Sequence, residues 1–69
     1  MPLTMARPGV TELIKKVNGK EDVKRFLESL GFVAGGEVTV VSVINGNLIV
    51  NVKESRVAIS REMANRIVV

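Results

Sequence analysis

The stretch that decides the fold of this chain is VKRFLESLGFVAGGEVTV, Val23–Val40. The apolar residues of its first half recur at the i, i+3, i+4 and i+7 spacing that places one stripe on a helix: Val23, Phe26, Leu27 and Leu30. This spacing predicts a helix over Asp22–Leu30 whose stripe, Phe26 included, packs on the core. Gly31 follows at once, where a left-handed residue closes a helix without a Cβ penalty. We therefore predict that Gly31 has a positive φ and ends the helix.

Short strands are predicted on both sides of this helix. The Gly35-Gly36 pair permits a reversal into Glu37–Ile44, a β-branched run. Asn45-Gly46 is the favoured dipeptide of a two-residue type I′ hairpin, and the residues after it alternate in character, with Leu48, Val50 and Val52 on one face. The remaining predicted elements are strands over Val10–Val17, Arg56–Ile59 and Ile67–Val69, and a helical turn over Arg61–Asn65 with Ser60 as its N-cap.

These elements predict a mainly β protein, a small and strongly bent five-stranded barrel with one α-helix and a helical turn before the last strand. The 69 residues make a single domain over residues 1–69. Thirteen of them are valine, which favours pleated sheet. The Asp22–Leu30 helix is expected to lie across the barrel.

The composition also bears on where the protein acts. The chain contains no cysteine, which fits a reducing compartment. Its first residues, MPLTMARPG, contain no long apolar segment of a signal peptide, and no apolar run approaches the ~20 residues that span a bilayer. A soluble cytoplasmic protein without direct membrane insertion is the expected class.

The positive charge does not by itself predict a nucleic-acid-binding protein. The formal net charge is +3, but ten basic residues are interspersed with seven acidic ones. Only two residues are aromatic, too few for a platform on which bases could stack. A mixed, solvated surface explains the charge better, so no nucleic-acid partner is predicted.

Enzymatic chemistry is not predicted either. The chain has no histidine and no cysteine, so the commonest general base, the thiol nucleophile and the preferred transition-metal ligands are all missing. The glycine-rich Gly31–Gly36 segment lies between a helix and a strand, the reverse of the order in phosphate-binding loops. We therefore predict no catalytic residue, no metal ligand and no cofactor.

A protein without such a site must act by contact, and the segment after the helix is the predicted docking surface. Lys24, Arg25, Phe32 and Val33 are the predicted partner-binding residues. The sequence allows two interpretations of Phe32, as part of an exposed apolar patch or as a residue packed back on the helix end. Lys24 and Arg25 would steer the protein toward an acidic surface.

The order of these residues resembles the FeoA family, small cytoplasmic accessory proteins of bacterial ferrous iron transport. The family pattern has an apolar residue and a turn glycine, an apolar strand, a helix that ends in leucine-glycine, valine-rich strands and a closing isoleucine-x-valine. The residues that correspond here are Met5, Gly9, Ile14, Val17, Leu27, Leu30–Gly35, Val38, Val40, Val50, Val52, Ala58, Ile59, Ala64 and Ile67–Val69. Ala34 departs from the pattern, since the family usually has proline there.

The resemblance implies an SH3-like barrel that associates with the membrane ferrous iron transporter carrying a cytoplasmic GTPase domain, the FeoB-type transporter. An alternative is a regulatory or adaptor module of an iron-dependent repressor, because such repressors carry a similar SH3-like domain. A nucleic-acid-binding barrel is a third hypothesis, favoured by charge alone. The sequence leaves open whether the protein forms homo-oligomers and whether it touches iron.

Overall fold

A computed structural model describes all residues, 1–69. Six strands, two α-helices and one 3₁₀ turn make up the chain. In chain order they are the 3₁₀ turn Leu3–Met5, β1 (Thr11–Leu13), β2 (Lys16–Val17), α1 (Glu21–Leu30), β3 (Glu37–Ile44), β4 (Asn47–Val52), β5 (Ser55–Ser60), α2 (Arg61–Ala64) and β6 (Ile67–Val68). The predicted fold class, mainly β with one main helix and a short helical turn before the last strand, is confirmed.

The strands form two antiparallel sheets that share one bent segment. One sheet has the order β1-β3-β4-β5, and β2 pairs with β6 in the other. The predicted strand Val10–Val17 is thus two short strands rather than one. The change of sheet occurs at Ile14, whose N–H donates to Gly36, while the next N–H, that of Lys15, donates to Val68. This bend carries the chain from one sheet into the other and begins to close the barrel.

The β3–β4 hairpin has the predicted turn. Ile44 pairs with Asn47, and both intervening residues, Asn45 and Gly46, have positive φ, as a type I′ turn requires. The register shifts between Val40 and Ser42. Such a bulge bends a strand, which accounts for consecutive apolar residues in β3.

The core lies between the two sheets and α1. Fifteen buried apolar residues fill it, and no polar side chain is buried among them. They are Leu3, Ala6, Ile14, Val17, Leu27, Phe32, Val38, Val40, Leu48, Val50, Val52, Ile59, Ala64, Ile67 and Val69. Ser60 caps α2 as predicted, since its Oγ accepts a hydrogen bond from the Met63 N–H at 3.2 Å.

The prediction that Phe26 packs in the core is wrong. Its side chain is 50 % exposed, whereas Leu27 is fully buried and Val23 and Leu30 pack partly against the core. Successive helical residues point about 100° apart. Phe26 therefore points about 100° away from Leu27 and lies outside the face of α1 that packs on the core.

The two ends of the chain lie side by side. The Met1 amino group donates a hydrogen bond to the Val69 carbonyl at 2.8 Å, and the Val69 N–H donates to the Met1 carbonyl at 2.8 Å. Pro2 forms a bridge with Val68. The first residues thereby extend the small β2–β6 sheet. No helix is long and apolar enough to cross a lipid bilayer.

Candidate functional site

The helix end beside the predicted docking residues is closed by Gly31. Gly31 has φ 111° and donates its N–H to Glu28, and the Phe32 N–H reaches back to the Leu27 carbonyl, both at 3.0 Å. This pair of bonds is a Schellman motif, in which an apolar residue after the glycine packs on the last turn. The predicted positive φ of Gly31 is confirmed.

The motif places Phe32 in the core. Its side chain is 0 % exposed, and Leu27, to whose carbonyl its N–H is bonded, is equally buried. Of the two interpretations that the sequence allowed, the structure shows packing against the helix end. Phe32 is therefore a core residue and is not available to a partner.

The turn that follows Phe32, Val33–Gly36, is held against the end of β1. The Gly35 N–H donates to the Ile14 carbonyl and the Ile14 N–H donates to the Gly36 carbonyl, each at 2.8 Å. Val33 is half-buried, whereas Ala34 and Gly35 are exposed. Leu13, which precedes Ile14, is 59 % exposed. The turn thus presents small and apolar groups on a backbone that is fixed at both ends.

The solvent side of α1 carries the other predicted residues. Lys24 is half-buried and Arg25 is exposed. Because successive residues turn by about 100°, Arg25 points away from Leu27, whereas Phe26 and Lys24 lie on opposite flanks of the helix. We call Lys24, Arg25, Phe26 and Val33 the helix–turn surface. Sequence reasoning missed Phe26 as a surface residue because its spacing is that of the buried stripe.

The charges of α1 and its N-cap Lys20 cancel one another. The segment 20–30 has three basic residues, Lys20, Lys24 and Arg25, and three acidic ones, Glu21, Asp22 and Glu28. Arg25 Nε lies 3.7 Å from Glu21 Oε1, in an exposed i, i+4 pair. Such a pair is worth about 0.3–0.5 kcal/mol. Long-range steering therefore gains little from α1, and the exposed apolar area of Phe26 is the more specific feature of this surface.

The chain has no group of three or more acidic, histidine or cysteine residues that could hold a metal ion. One depression opens on the surface, of about 360 Å³, at the turn between β4 and β5. Only polar residues line it: Asn51, Lys53, Glu54, Ser55 and Arg56. This depression is polar, and it reaches the end of α1, because the side chain of Lys53 lies against Gly31.

Comparison with known proteins identifies the family. Residues 1–69, the whole chain, match the FeoA domain. The chain belongs to the FeoA domain family. It is 32 % identical, over 68 residues, to a protein of Methanocaldococcus jannaschii named as an Fe(2+) transport protein A, and the match covers 99 % of this chain and 83 % of that protein. The resemblance to the family found in the sequence is confirmed.

Solved structures agree with the FeoA assignment. Stenotrophomonas maltophilia FeoA, which was crystallised with zinc and is described as a prokaryotic SH3 domain protein, superposes with a TM-score of 0.85 at 28 % identity. The similarity covers 99 % of this chain and 87 % of that one. The expected SH3-like fold is thereby confirmed, and the protein is a member of a family of ferrous iron transport proteins.

The fold also occurs in a repressor. A manganese-dependent transcriptional repressor matches with a TM-score of 0.86 at 18 % identity, over 97 % of this chain but 39 % of that protein. At this identity the similarity concerns the fold alone. FeoA proteins and this repressor therefore share a small barrel.

Proposed function

We propose that this protein is a cytoplasmic accessory protein of ferrous iron transport that binds the GTPase-bearing cytoplasmic region of the membrane ferrous iron transporter. The observation that carries the proposal is the match of the whole chain to the FeoA domain, together with a relative named as an Fe(2+) transport protein A. A small barrel without a cluster of metal-binding side chains is suited to act by contact with another protein.

The helix–turn surface is the proposed contact. Phe26 offers a large aromatic side chain that is half exposed, and aromatic residues are enriched among those that dominate binding energy. Val33 lies on a turn whose backbone is fixed by the bonds to Ile14, so little entropy is lost when a partner docks there. Lys24 and Arg25 would form the polar rim of this contact.

The test is binding of the protein to the cytoplasmic region of an FeoB-type transporter, measured by calorimetry or pull-down. Phe26→Ser should weaken binding at least about tenfold, since truncation of an aromatic anchor costs ~2 kcal/mol or more. Ile44→Ser is the matched control, because Ile44 is also half exposed but lies at the end of β3. It should leave binding unchanged.

The charge contribution is tested separately. Lys24→Glu/Arg25→Glu should weaken binding. The control is Arg7→Glu/Lys16→Glu, which changes the net charge equally at exposed positions on other segments and should not weaken binding. If the parent protein does not bind the transporter region, the proposed function is wrong. If the parent binds and the folded helix–turn variants bind equally well, only the proposed contact surface is wrong.

The second hypothesis, a module of an iron-dependent repressor system, has the shared fold in its favour. The same binding experiment separates the two. A repressor module would bind the transporter region no better than an unrelated barrel of similar charge.

A further inference from the structure

The outer edge of β5 is the longest run of backbone in the larger sheet that lacks a partner. β5 lies at one side of that sheet and pairs with β4 through all six residues, Ser55–Ser60. None of the backbone hydrogen bonds of turns, loops and caps involves residues 55–60. β1, at the opposite side of the sheet, has only three residues. An unpaired edge of this length is a template for a further strand.

The position of the hairpin turn shows which groups face outward. Val52 pairs with Ser55 across a two-residue turn, so Ser55 turns its N–H and C=O toward β4. The direction alternates from one residue to the next, so the N–H and C=O groups of Arg56 and Ala58 face away from β4. Ala58 is exposed and its side chain is small, which leaves room for close approach of another backbone.

Arg56 is prepared to bind a carboxylate beside this edge. Its Nε donates to Asn51 Oδ1 at 3.2 Å, across the strand pair, and this bond orients the guanidinium group. The two terminal nitrogens have no protein partner and can bind a carboxylate through two parallel hydrogen bonds. Lys53 adds a second cation to the depression of about 360 Å³ at the same end of β5, where Glu54 is the single acidic residue.

The segment around β5 is positively charged. Residues 53–66 contain four basic residues, Lys53, Arg56, Arg61 and Arg66, against two acidic ones, Glu54 and Glu62. The charges of the segment 20–30, by contrast, balance. An acidic ligand is therefore attracted to the β5 side of the molecule.

The inner face of the edge is apolar. The Val57 side chain points to the opposite face of the sheet from Arg56 and Ala58, because successive side chains of a strand alternate. Val57 packs against the core but is only partly buried. An apolar side chain on an added strand would cover it further. The edge thus offers a cationic outer face and an apolar inner face.

We propose that the outer edge of β5 binds an extended segment of a partner protein by strand addition, and that acidic and apolar residues alternate in this segment. The acidic residues lie on the outer face with Arg56, and the apolar residues lie beside Val57. This inference goes beyond the proposed function, because it concerns the backbone edge of β5, which is not part of the helix–turn surface, and does not depend on which protein supplies the segment.

Two other occupants fit the edge less well. SH3-type recognition of proline-rich segments uses grooves lined by aromatic side chains. This chain has no tryptophan or tyrosine, and Phe32 is buried. A second copy of the chain would bring together two molecules of net charge +3, whose β5 segments are both basic.

A defined peptide tests the inference without the transporter. The probe is acetyl-Glu-Val-Glu-Val-Glu-amide, and the matched control has lysine in place of each glutamate. We expect the acidic peptide to shift the backbone amide signals of β5, above all those of Arg56 and Ala58, in a titration followed by nuclear magnetic resonance. Added salt should weaken this binding, and the lysine peptide should not bind.

Strand addition is distinguished from simple charge attraction by N-methylation of the peptide. Only one of the two alternating sets of peptide amides faces β5. Methylation of either the valine amides or the glutamate amides should therefore abolish binding, while methylation of the other set leaves it. The inference is contradicted if methylation of each set abolishes binding, or if methylation of neither set does.

Two variants of the protein complete the test. Arg56→Glu should weaken binding of the acidic peptide about five- to tenfold. Arg7→Glu changes the net charge equally at an exposed position before β1, at the opposite side of the sheet, and should not weaken it. Ala58→Pro removes an N–H that makes no bond to β4, a position where an edge strand tolerates proline. It should abolish binding in the folded protein. Absence of binding by the parent, or binding that Arg56→Glu leaves unchanged, overturns the inference.

Discussion

At the scale of single residues, the two phenylalanines lie on either side of Gly31, the left-handed residue that ends α1. Phe26 and Phe32 both lie near this end, yet one is 50 % exposed and the other fully buried. Their difference depends on how α1 is rotated about its axis against the barrel. That rotation is a tertiary property that the helical spacing alone does not contain.

The two residues should therefore respond very differently to truncation. Phe32→Ala leaves a cavity in the core and should lower the free energy of unfolding by about 3–5 kcal/mol, a large part of the ~5–15 kcal/mol typical of small domains. Phe26→Ala removes a half-exposed side chain and should change it by less than about 1 kcal/mol. Urea unfolding of the two variants checks this. Equal losses would show that Phe26 is also a core residue.

At the scale of elements, boundaries set by turns were predictable and the change of sheet was not. The Asn45-Gly46 turn and the Ser60 cap rest on local hydrogen bonding, and both are confirmed. The division of Val10–Val17 into β1 and β2 depends on partners distant in the sequence, Gly36 and Val68. The position of Val33 in the helix–turn surface also depends on a partner distant in the sequence, because the turn that carries Val33 is bonded to Ile14.

The end of α1 provides a prediction at this scale. Gly31→Ala puts a side chain on a residue with φ 111°, where the new Cβ would also lie 3.4 Å from Val52 Cγ2. Thermal unfolding should show a loss of about 1–2 kcal/mol, and Gly31→Val should lose more because its side chain is larger and β-branched.

Gly35→Ala is the control for this change. Gly35 also has a positive φ, 88°, but a Cβ there meets nothing within 4 Å. The stability lost in Gly35→Ala measures backbone strain alone, so the difference between Gly31→Ala and Gly35→Ala reports the contacts with Lys53 and Val52. A Gly31→Ala variant that melts with the parent would mean that the helix does not need a left-handed residue at its end.

At the scale of the whole molecule, the two sheets differ in how firmly they are held. β4 lies between two neighbours, β3 and β5, whereas the β2–β6 pair has two residue pairs and is extended by the chain ends. Regions with fewer supporting contacts open at lower free energy than the core. The barrel is expected to open first where β2 and β6 close it.

Hydrogen exchange of the native protein measures this order. The amides of Lys15 and Asn18, which donate to Val68 and Arg66 across the small sheet, should exchange faster than the amide of Val50 in β4. The Ala58 amide at the open edge should exchange faster still. Equal protection of Lys15, Asn18 and Val50 would show instead that the barrel opens as one cooperative unit.

The hydrogen bonds that join Met1 and Val69 have a topological consequence. Because the two ends meet, a short peptide could connect them and new ends could be cut at the exposed Asn45-Gly46 turn. Such a circular permutant would begin at β4 and finish with β3, yet every strand would retain its neighbour. We therefore expect the barrel to be specified by which strands pair with each other, and not by the order of the strands along the chain.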